Sequence, residues 1–472
     1  MKMCVGGRWV ETDRKIEVVH PYDNLVVDTV PRAGLADVDA ALAAAVRGAK
    51  TMAKLAAWDR YQILRKAAEK LELRAEEFAR TITMEEGKVI AEGRFEVGRA
   101  VQVLMLSAEE ARRIHGETVP LDASPGGSGK MGFTLRVPCG VVVAISPFNF
   151  PLNLAAHKVA PAIAAGNAVV IKPPSSTPLS ALKLTELLLE CGVPPEAISC
   201  LTGPGGELGE ALCRDERVRK ISFTGSAPVG ERICQIAGIK RLTMELGSNS
   251  PIIVMPDADA GKVAEAVAAT GYANAGQMCI STQRVIAHRD VYEPVLAASA
   301  RKVEALTTGD PLHEKTKVGP MIHETEAKRV EQWVSEAVQG GARVVTGGER
   351  RGAIYTPAIV ADVKPEMRIS CEEVFGPVVA FTAFQDVEEA LALANDSRFG
   401  LSAGVFTESL DTAMKFAREL QTGNIHINWG PQWRMDLMPY GGLKNSGFGK
   451  EGPRYAVEEM TELKMVVFHL ND

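Results

Sequence analysis

The sequence lacks the features that would place the protein on a nucleic acid or in a membrane. Its 472 residues carry a formal net charge of −6, so no excess of basic side chains is available to bind phosphate backbones or anionic lipids. The most apolar long stretch, residues 137–173, is interrupted by polar side chains and prolines, which excludes a membrane span there. The first 15 residues have no apolar core and do not resemble a signal peptide. We therefore expect a cytoplasmic protein whose partners are neither nucleic acids nor membranes.

Cysteines and histidines are present but are not spaced as metal ligands. None of the eight cysteines forms a CxxC pair, and the eight histidines are scattered without a signature context. We therefore expect no metal site. In a chain of this size, eight cysteines are consistent with reduced thiols in the cytosol.

The composition is that of a globular protein that is too long for one core. Hydrophobic residues make up 46% of the chain and charged residues 24%, and two or three domains are expected. Residues 3–30 show the alternation of short strands, and residues 36–114 repeat apolar side chains at helical spacing. Short β-branched runs alternate with helical segments from 141 to 245 and again from Pro251 onwards. This alternation predicts an α/β fold with two doubly wound domains built on parallel sheets.

Residues 116–138 interrupt the α/β pattern. They are polar, glycine-rich at their centre and extended at their ends, which is typical of a long hairpin arm, with a surface loop as the alternative. The tail MVVFHL (465–470) is predicted to form one more strand that pairs with this arm. An exposed strand pair needs a partner to cover its edges, so we expect a homo-oligomer, either a dimer or a tetramer.

Three side chains in polar segments are candidates for catalysis. Cys279 lies among small and polar residues in YANAGQMCISTQR (272–284), whereas a structural cysteine usually lies in an apolar run, so it is a candidate nucleophile. Asn149 follows the predicted strand 141–146 and could donate a hydrogen bond to a negatively charged tetrahedral oxygen. Glu245 ends another apolar strand, where it would serve as a general base or as a helix cap. A structural role for each remains open on the local sequence alone.

Further polar residues follow predicted strands where a nucleotide could bind. Lys172 and Ser175, in IKPPSSTP, could meet a ribose hydroxyl or a phosphate. Gly225 and Ser226 lie in a strand–turn–helix segment, FTGSAPVG, whose backbone N–H groups would cradle a phosphate although the segment is not GxGxxG. Glu373, in CEEVFGPV, suits a ribose diol. A solvated side chain or a turn residue is the alternative at each position.

Together these motifs resemble the aldehyde dehydrogenase superfamily along nearly the whole chain. The matching segments are PFNFP with Asn149, IKPPSSTP with Lys172, FTGS with Gly225 and Ser226, ELGSNSP with Glu245, GQMCIS with Cys279, EEVFGP with Glu373 and Phe375, and PYGGLKNSGFGKEG at 439–452. The spacing of 34 residues from Glu245 to Cys279 also fits that family.

The resemblance implies an enzyme that oxidises an aldehyde to a carboxylic acid with NADP or NAD. Cys279 would attack the aldehyde carbon as a thiolate, and the Asn149 amide and the Cys279 backbone N–H would hold the oxyanion. Hydride transfer to the cofactor would leave a thioester, and Glu245 would activate the water that hydrolyses it. No metal takes part in this chemistry.

The resemblance also implies a cofactor site and a domain division. Glu373 would hold the nicotinamide ribose, with Phe375 packed near it, Lys172 the adenosine ribose, and Ser226 the pyrophosphate. The full set of implied cofactor residues is Ile145, Ser146, Lys172, Ser175, Gly225, Ser226, Leu246, Glu373 and Phe375. The implied domains are a Rossmann-like cofactor-binding domain (1–115 and 139–245), a catalytic domain (246–440) and an oligomerisation arm (116–138 and 453–472).

One departure from the family pattern bears on the cofactor. Many NAD-preferring relatives carry a glutamate three residues after the lysine, where this chain has Ser175. A glutamate there would chelate the adenosine ribose diol and repel a 2′-phosphate. Serine removes that repulsion, and Lys172 is near enough in sequence to pair with the phosphate. We therefore predict that NADP is used, with NAD as the alternative.

Other departures bear on the substrate. Relatives that take phosphorylated aldehydes tend to have an arginine directly before the nucleophile, where this chain has Met278. Arg434, in the tryptophan-containing segment that lines the substrate entrance in the family, and Arg99 could each bind a carboxylate or phosphonate. A plain surface charge is the alternative for both. The segment resembles the lactaldehyde, glycolaldehyde and phosphonoacetaldehyde branch, which favours a short polar aldehyde.

Three other functions are alternatives to this one. An acylating enzyme would release the thioester to coenzyme A or phosphate, and Glu245 as a hydrolytic base argues against it. A thiol hydrolase using Cys279 would need a histidine base, and no histidine has a signature context. A non-catalytic family member would not be expected to keep Asn149, Glu245 and Cys279 together.

Overall fold

The computed structural model describes residues 1–470, which form two large sheets, several short ones and the helices that cover them. The strands are β1 (Met3–Val5), β2 (Arg8–Val10), β3 (Lys15–Val19), β4 (Val26–Pro31), β5 (Thr118–Val119), β6 (Lys130–Pro138), β7 (Val141–Ile145), β8 (Ala168–Lys172), β9 (Ile198–Cys200), β10 (Lys220–Thr224), β11 (Arg241–Glu245), β12 (Pro251–Val254), β13 (Arg284–His288), β14 (Arg343–Thr346), β15 (Arg350–Arg351), β16 (Ile354–Tyr355), β17 (Ala358–Ala361), β18 (Val378–Phe384), β19 (Phe399–Gly400), β20 (Ser402–Phe406), β21 (Asn424–Ile427), β22 (Leu443–Lys444), β23 (Gly447–Phe448) and β24 (Thr461–His469). The helices are α1 (Leu35–Met52), α2 (Ala57–Leu73), α3 (Ala75–Glu86), α4 (Ile90–Ala111), α5 (Asn153–Ala164), α6 (Leu179–Glu190), α7 (Glu210–Arg214), α8 (Ala227–Ile236), α9 (Ala260–Gly271), α10 (Arg289–Glu304), α11 (Glu324–Gln339), α12 (Arg368–Cys371), α13 (Val387–Asn395), α14 (Leu410–Glu419) and α15 (Pro453–Glu459).

The first large sheet has the strand order β2-β1-β9-β8-β7-β10-β11-β23. Its five central strands, β9 to β11 in that order, are parallel, and their side chains are buried almost without alternation because helices cover both faces. The chain runs outwards from β7 through β8 to β9, then returns to place β10 on the other side of β7. Adjacent crossovers therefore leave β7 and β10 in opposite directions, which opens a crevice at their carboxyl ends.

The second large sheet has the order β14-β17-β18-β13-β12-β20-β21 and is parallel except for the edge strand β14. The predicted α/β fold with parallel sheets is confirmed. Among residues 1–470, no helix has both the length and the apolarity that a bilayer crossing requires. The same residues include no group of three or more histidine, cysteine, aspartate or glutamate side chains placed to hold a metal ion.

The predicted arm is a small antiparallel sheet of order β24-β6-β5. Strand β24 pairs with β6 along nine residues, from Thr461 opposite Pro138 to His469 opposite Lys130, as the tail prediction required. Strand β5 adds two pairs on the other side of β6, which gives the hairpin a short first limb. Helix α15, which precedes β24, packs instead against α4 and α5 of the first sheet. The last two residues assigned to the arm, 471 and 472, lie outside the described residues.

Candidate active site

A cavity of about 720 Å³ lies in the crevice at the carboxyl ends of β7 and β10. It is lined by all three predicted catalytic residues and by eight of the nine predicted cofactor residues. These are Asn149, Glu245, Cys279, Ile145, Ser146, Lys172, Gly225, Ser226, Leu246, Glu373 and Phe375. Residues that are up to 230 positions apart in the chain are thus brought to one cavity, because they follow neighbouring strands or lie on loops that close over the strand ends.

The loop that carries Cys279 begins with a strained turn. Asn274, Ala275 and Gly276 have φ values of 50°, 54° and 70°, a left-handed conformation that side-chain-bearing residues rarely adopt. A Cβ at Gly276 would collide with the carbonyl oxygen of Gly376. The Asn274 N–H donates to the Glu92 carboxylate at 3.0 Å, and its Nδ2 donates to Glu86 at 2.9 Å. Buried acids on neighbouring helices therefore hold the turn that presents the cysteine.

The turn that carries Asn149 is fixed by a buried charge pair. Lys88 Nζ donates to the Asn149 carbonyl oxygen and to Glu96 Oε2, both at 2.6 Å. The other Glu96 oxygen accepts the backbone N–H groups of Leu152 and Asn153 at the start of α5. With this backbone held, Asn149 Nδ2 donates to the Gln277 carbonyl oxygen at 2.7 Å, two residues before Cys279. The amide is therefore aimed at the nucleophile's loop.

Glu245, the last residue of β11, has a buried side chain. Its side chain is 2% exposed, and its Oε1 has no hydrogen-bond partner within residues 1–470. Burial and the nearby Glu451 carboxylate raise the pKa of Glu245 to about 8, while Arg434 and Lys158 oppose the rise. A carboxylate in this state accepts a proton near neutral pH, which is the property of a general base.

Cys279 is half-buried, and its sulfur lies 3.3 Å from the hydroxyl oxygen of Tyr440. Burial and the Glu245 carboxylate raise the pKa of the Cys279 thiol to about 12, and the contact with Tyr440 opposes the rise. No histidine within residues 1–470 hydrogen-bonds the sulfur, an arrangement unlike that of a thiol hydrolase.

The two predicted substrate arginines do not line the large cavity. Arg434 is buried: its Nη2 lies 3.2 Å from Glu451 and 3.5 Å from His157 Nε2, and its guanidinium covers the Tyr440 ring at 3.7 Å from the centroid. Arg99 binds Asp436 at 2.6 Å. Asp436 also binds His157 at 2.8 Å, so one buried network joins both arginines. The alternative that Arg434 is a plain surface charge is wrong, because its side chain is only 6% exposed.

Several residues of this network were missed by the sequence reasoning. They are His157, Lys158, Asp436, Tyr440 and Glu451. A signal for two of them was present, since His157 and Lys158 are adjacent polar residues in the otherwise apolar helix α5. Tyr440 and Glu451 lie inside the PYGGLKNSGFGKEG segment, which was matched as a family motif without roles for its side chains.

The remaining cavity residues offer a fit for a dinucleotide. Glu373 Oε1 accepts the Ser248 N–H at 2.8 Å, and a Cβ on Gly247 would strike the same carboxylate. Phe375 packs edge-on against Phe148 with centroids 5.8 Å apart. The carboxylate is therefore held against a bare stretch of backbone and beside an aromatic platform, as a ribose and its attached ring require.

A buried lysine also lines the cavity. Lys172 is 3% exposed, its Nζ donates to the Pro173 carbonyl oxygen at 2.8 Å, and burial lowers its pKa to about 8. Ser175 does not line the cavity, because its hydroxyl donates to the Gly203 carbonyl oxygen at 2.9 Å. Glu210 lines the cavity but is paired with Arg232 at 2.8 Å. Within residues 1–470, the Lys172 ammonium forms no salt bridge, and its hydrogen-bond partner is the Pro173 carbonyl oxygen.

Comparison with known proteins shows the family. The sequence model described as the aldehyde dehydrogenase family matches residues 9–466. The chain is 46% identical over 468 residues to the 3-sulfolactaldehyde dehydrogenase of Priestia megaterium, which spans 99% of this chain and 98% of that protein.

Two solved structures show the same fold. Aldehyde dehydrogenase 21 of Physcomitrella patens, in complex with the reaction product succinate, is 40% identical with a TM-score of 0.96, over 99% of this chain and 98% of that one. The glyceraldehyde-3-phosphate dehydrogenase GapN of Methanocaldococcus jannaschii, in complex with NADP, is 35% identical with a TM-score of 0.94, over 97% and 100% of the two chains. These likenesses confirm the resemblance seen in the motifs, and the chain belongs to the aldehyde dehydrogenase family.

Proposed function

We propose that the protein oxidises a short polar aldehyde to its carboxylic acid with NADP or NAD. The observation that carries the proposal is that Cys279, Asn149 and Glu245 line the same cavity as Glu373 and Lys172. A nucleophile, an oxyanion donor and a base thus share the cavity with residues suited to two riboses.

The proposed reaction gives each of these residues a role. Cys279 attacks the aldehyde carbon as a thiolate, and the Asn149 amide and the Cys279 backbone N–H hold the oxyanion. That N–H makes no hydrogen bond within residues 1–470 and is available to the oxyanion. A nicotinamide ring bound in the cavity supplies hydride acceptance. Glu245 then takes a proton from the water that hydrolyses the thioester, which its unpartnered oxygen and its pKa of about 8 favour.

We propose NADP as the preferred cofactor. Support comes from the buried Lys172 cation, from the serine at 175 in place of a repelling carboxylate, and from the pairing of Glu210 with Arg232. The related GapN structure, which holds NADP, is consistent with this choice. Lys172 would pair with the 2′-phosphate of the adenosine ribose.

We propose that the substrate's polar end is hydroxylated or acidic, as in lactaldehyde, a semialdehyde or phosphonoacetaldehyde. The buried Arg434 touches Tyr440, which touches Cys279, so a guanidinium lies one side chain away from the nucleophile. Arg99 reaches the same network through Asp436. The sulfolactaldehyde relative and the succinate complex point to small anionic substrates in related proteins. Met278 argues against a phosphoester.

We also propose the domain division and the setting of the chain. Residues 1–115 and 139–245 would form the cofactor-binding domain, 246–440 the catalytic domain, and 116–138 with 453–472 the arm through which copies associate as a dimer or tetramer. The free state of all eight cysteines supports a cytoplasmic location.

The test is an initial-rate panel of short aldehydes run with both cofactors and with Cys279→Ala. We expect lactaldehyde, succinate semialdehyde or phosphonoacetaldehyde to be oxidised faster than hexanal or benzaldehyde, and Cys279→Ala to bind cofactor without turnover. Faster oxidation of the apolar aldehydes would refute the substrate class. A product that appears as a thioester only when coenzyme A is added would replace the hydrolytic reaction with the acylating one.

A further inference from the structure

The proposed reaction does not use one contact that Cys279 makes. The Tyr440 hydroxyl lies 3.3 Å from Cys279 Sγ and makes the sole side-chain hydrogen bond to that sulfur within residues 1–470. The same hydroxyl has no other hydrogen-bond partner in the described part of the chain. Its proton therefore has one acceptor available, the sulfur.

The surroundings of the sulfur disfavour a thiolate. Burial removes the water that would solvate the negative charge, and the carboxylates of Glu245 and Glu373 add like charge. The thiolate is nevertheless the form of cysteine that acts as a nucleophile. A hydrogen-bond donor directed at Sγ therefore offsets part of the free-energy cost of forming the thiolate in these surroundings.

The structure also keeps Tyr440 in the donor form. Burial raises the pKa of the Tyr440 hydroxyl well above its ordinary value, so the group stays protonated at physiological pH. The Arg434 guanidinium lies over the ring at 3.7 Å from the centroid and is held there by Glu451 at 3.2 Å. A cation on the ring face withdraws electron density from the phenol, which makes its hydroxyl a stronger hydrogen-bond donor.

We propose that Tyr440 is a catalytic residue whose hydroxyl donates a hydrogen bond to Cys279 Sγ and stabilises the thiolate. No proton is transferred: the hydroxyl keeps its hydrogen while the sulfur carries the charge. The bond weakens when the sulfur joins the aldehyde carbon and strengthens again when hydrolysis of the thioester releases the thiolate. The role of Tyr440 rests on the proposed function in one respect, that Cys279 is the nucleophile.

The test measures Cys279 directly and needs neither aldehyde nor cofactor. The rate of alkylation of Cys279 by iodoacetamide is followed on its own peptide by mass spectrometry from pH 6 to pH 11, for wild type and Tyr440→Phe. We expect the variant's plot of alkylation rate against pH to shift to higher pH by about one unit, because a hydrogen bond to a charged group is lost. The alkylation rate at pH 7.5 should then be about tenfold lower than that of wild type. An unchanged curve overturns the proposal.

A matched control separates this effect from general loosening of the interior. Tyr292, on helix α10, has another buried hydroxyl, which accepts the Asp362 N–H at 3.0 Å. Tyr292→Phe removes this hydroxyl and should leave the dependence of the Cys279 alkylation rate on pH unchanged. A curve that moves equally in both variants overturns the proposal.

A second substitution keeps the test decisive if Tyr440→Phe folds poorly. Replacing Tyr440 with 3-fluorotyrosine preserves the ring and the hydroxyl but makes the hydroxyl more acidic. The stronger donor should shift the plot of alkylation rate against pH to lower pH. An unchanged plot would mean that Tyr440 only fills space and would refute the proposal. If Cys279→Ala were to keep aldehyde oxidation, the proposed function would fail while these curves would still report on the hydrogen bond.

Discussion

Two buried charged regions flank the nucleophile, and they differ in how their carboxylates are satisfied. In the first, beneath Asn149, Glu96 is 0% exposed, and its two oxygens accept Lys88 and two backbone N–H groups at 2.6 to 3.0 Å. In the second, Glu245 is 2% exposed, yet its Oε1 has no partner within residues 1–470 and its pKa is raised to about 8. The same side chain at the same depth is a fixed support when its oxygens are bonded and a proton acceptor when they are not.

The largest expected effect comes from removing the unsatisfied carboxylate. Glu245→Gln should slow steady-state turnover by about 100- to 10,000-fold, because no base remains to activate the hydrolytic water. The first turnover should persist as a burst of reduced cofactor, since thioester formation does not use Glu245. Stopped-flow absorbance at 340 nm separates the two phases. Steady-state turnover within a few-fold of wild type would show that Glu245 is not the base.

Breaking the satisfied region should cost stability first. Lys88→Met leaves Glu96 buried without its cation, and we expect the free energy of unfolding to fall by about 3–5 kcal/mol. Urea unfolding followed by tryptophan fluorescence measures it. Lys70→Met is the matched control, because its 3.0 Å pair with Glu190 is exposed to solvent and its loss should leave unfolding unchanged. Equal results for the two lysines would contradict the support role.

Lys172 provides a third environment, a buried cation with a carbonyl as its partner. Ser175 follows Pro174, which lines the cavity, so the longer side chain of Ser175→Glu should bring a carboxylate towards Lys172. We expect this carboxylate to weaken use of NADP by about ten- to a hundredfold in kcat/KM, the value of a charged phosphate contact. Ser175→Gln, of the same size without the charge, should have a smaller effect. Initial rates at several concentrations of NADP and NAD give kcat/KM for each cofactor. If wild type preferred NAD more than tenfold in kcat/KM, the cofactor proposal would be refuted.

A further expected effect is a dependence of stability on pH. Burial raises the pKa of Glu245 from its ordinary value of 4.5 to about 8, so the folded protein binds more protons than the unfolded chain between these values. Stability contributed at low pH is therefore lost as pH rises from about 5 to 8. Glu245→Gln should remove that slope and be more stable than wild type at pH 8. If the free energy of unfolding changed with pH in the same way for both proteins across this range, the raised pKa would be contradicted.

The fold class, and the fact that Asn149, Glu245 and Cys279 line one cavity, could be predicted because their signals are local. Strand–helix alternation predicts parallel sheets, and Asn149, Glu245 and Cys279 each lie in a motif that can be seen in a few residues. Tyr440 could not be found this way, since its contact with Cys279 joins residues 161 positions apart. Lys88 likewise lies 61 positions from the Asn149 carbonyl that it fixes.

The chemical state of the site was equally beyond the sequence. The segment around Arg434 predicts a charge near the substrate entrance, but its burial against Tyr440 and Glu451 depends on how three separate segments pack. Ser175 was placed with the cofactor residues, yet its hydroxyl is engaged by the Gly203 carbonyl oxygen instead of the cavity. Charge and hydrogen-bond satisfaction are properties of the folded surroundings and not of the motif.

The long pairing of β6 with β24 bears on the order in which the chain acquires its structure. Strand β6 is synthesised more than 300 residues before the strand that covers its whole length. During that interval its backbone N–H and C=O groups along this edge must remain solvated or find transient partners. The arm sheet can therefore close only after both α/β regions have been synthesised, and contacts at such separation form slowly. A chain cut short before Thr461 could not form this pairing and would leave that edge of β6 uncovered.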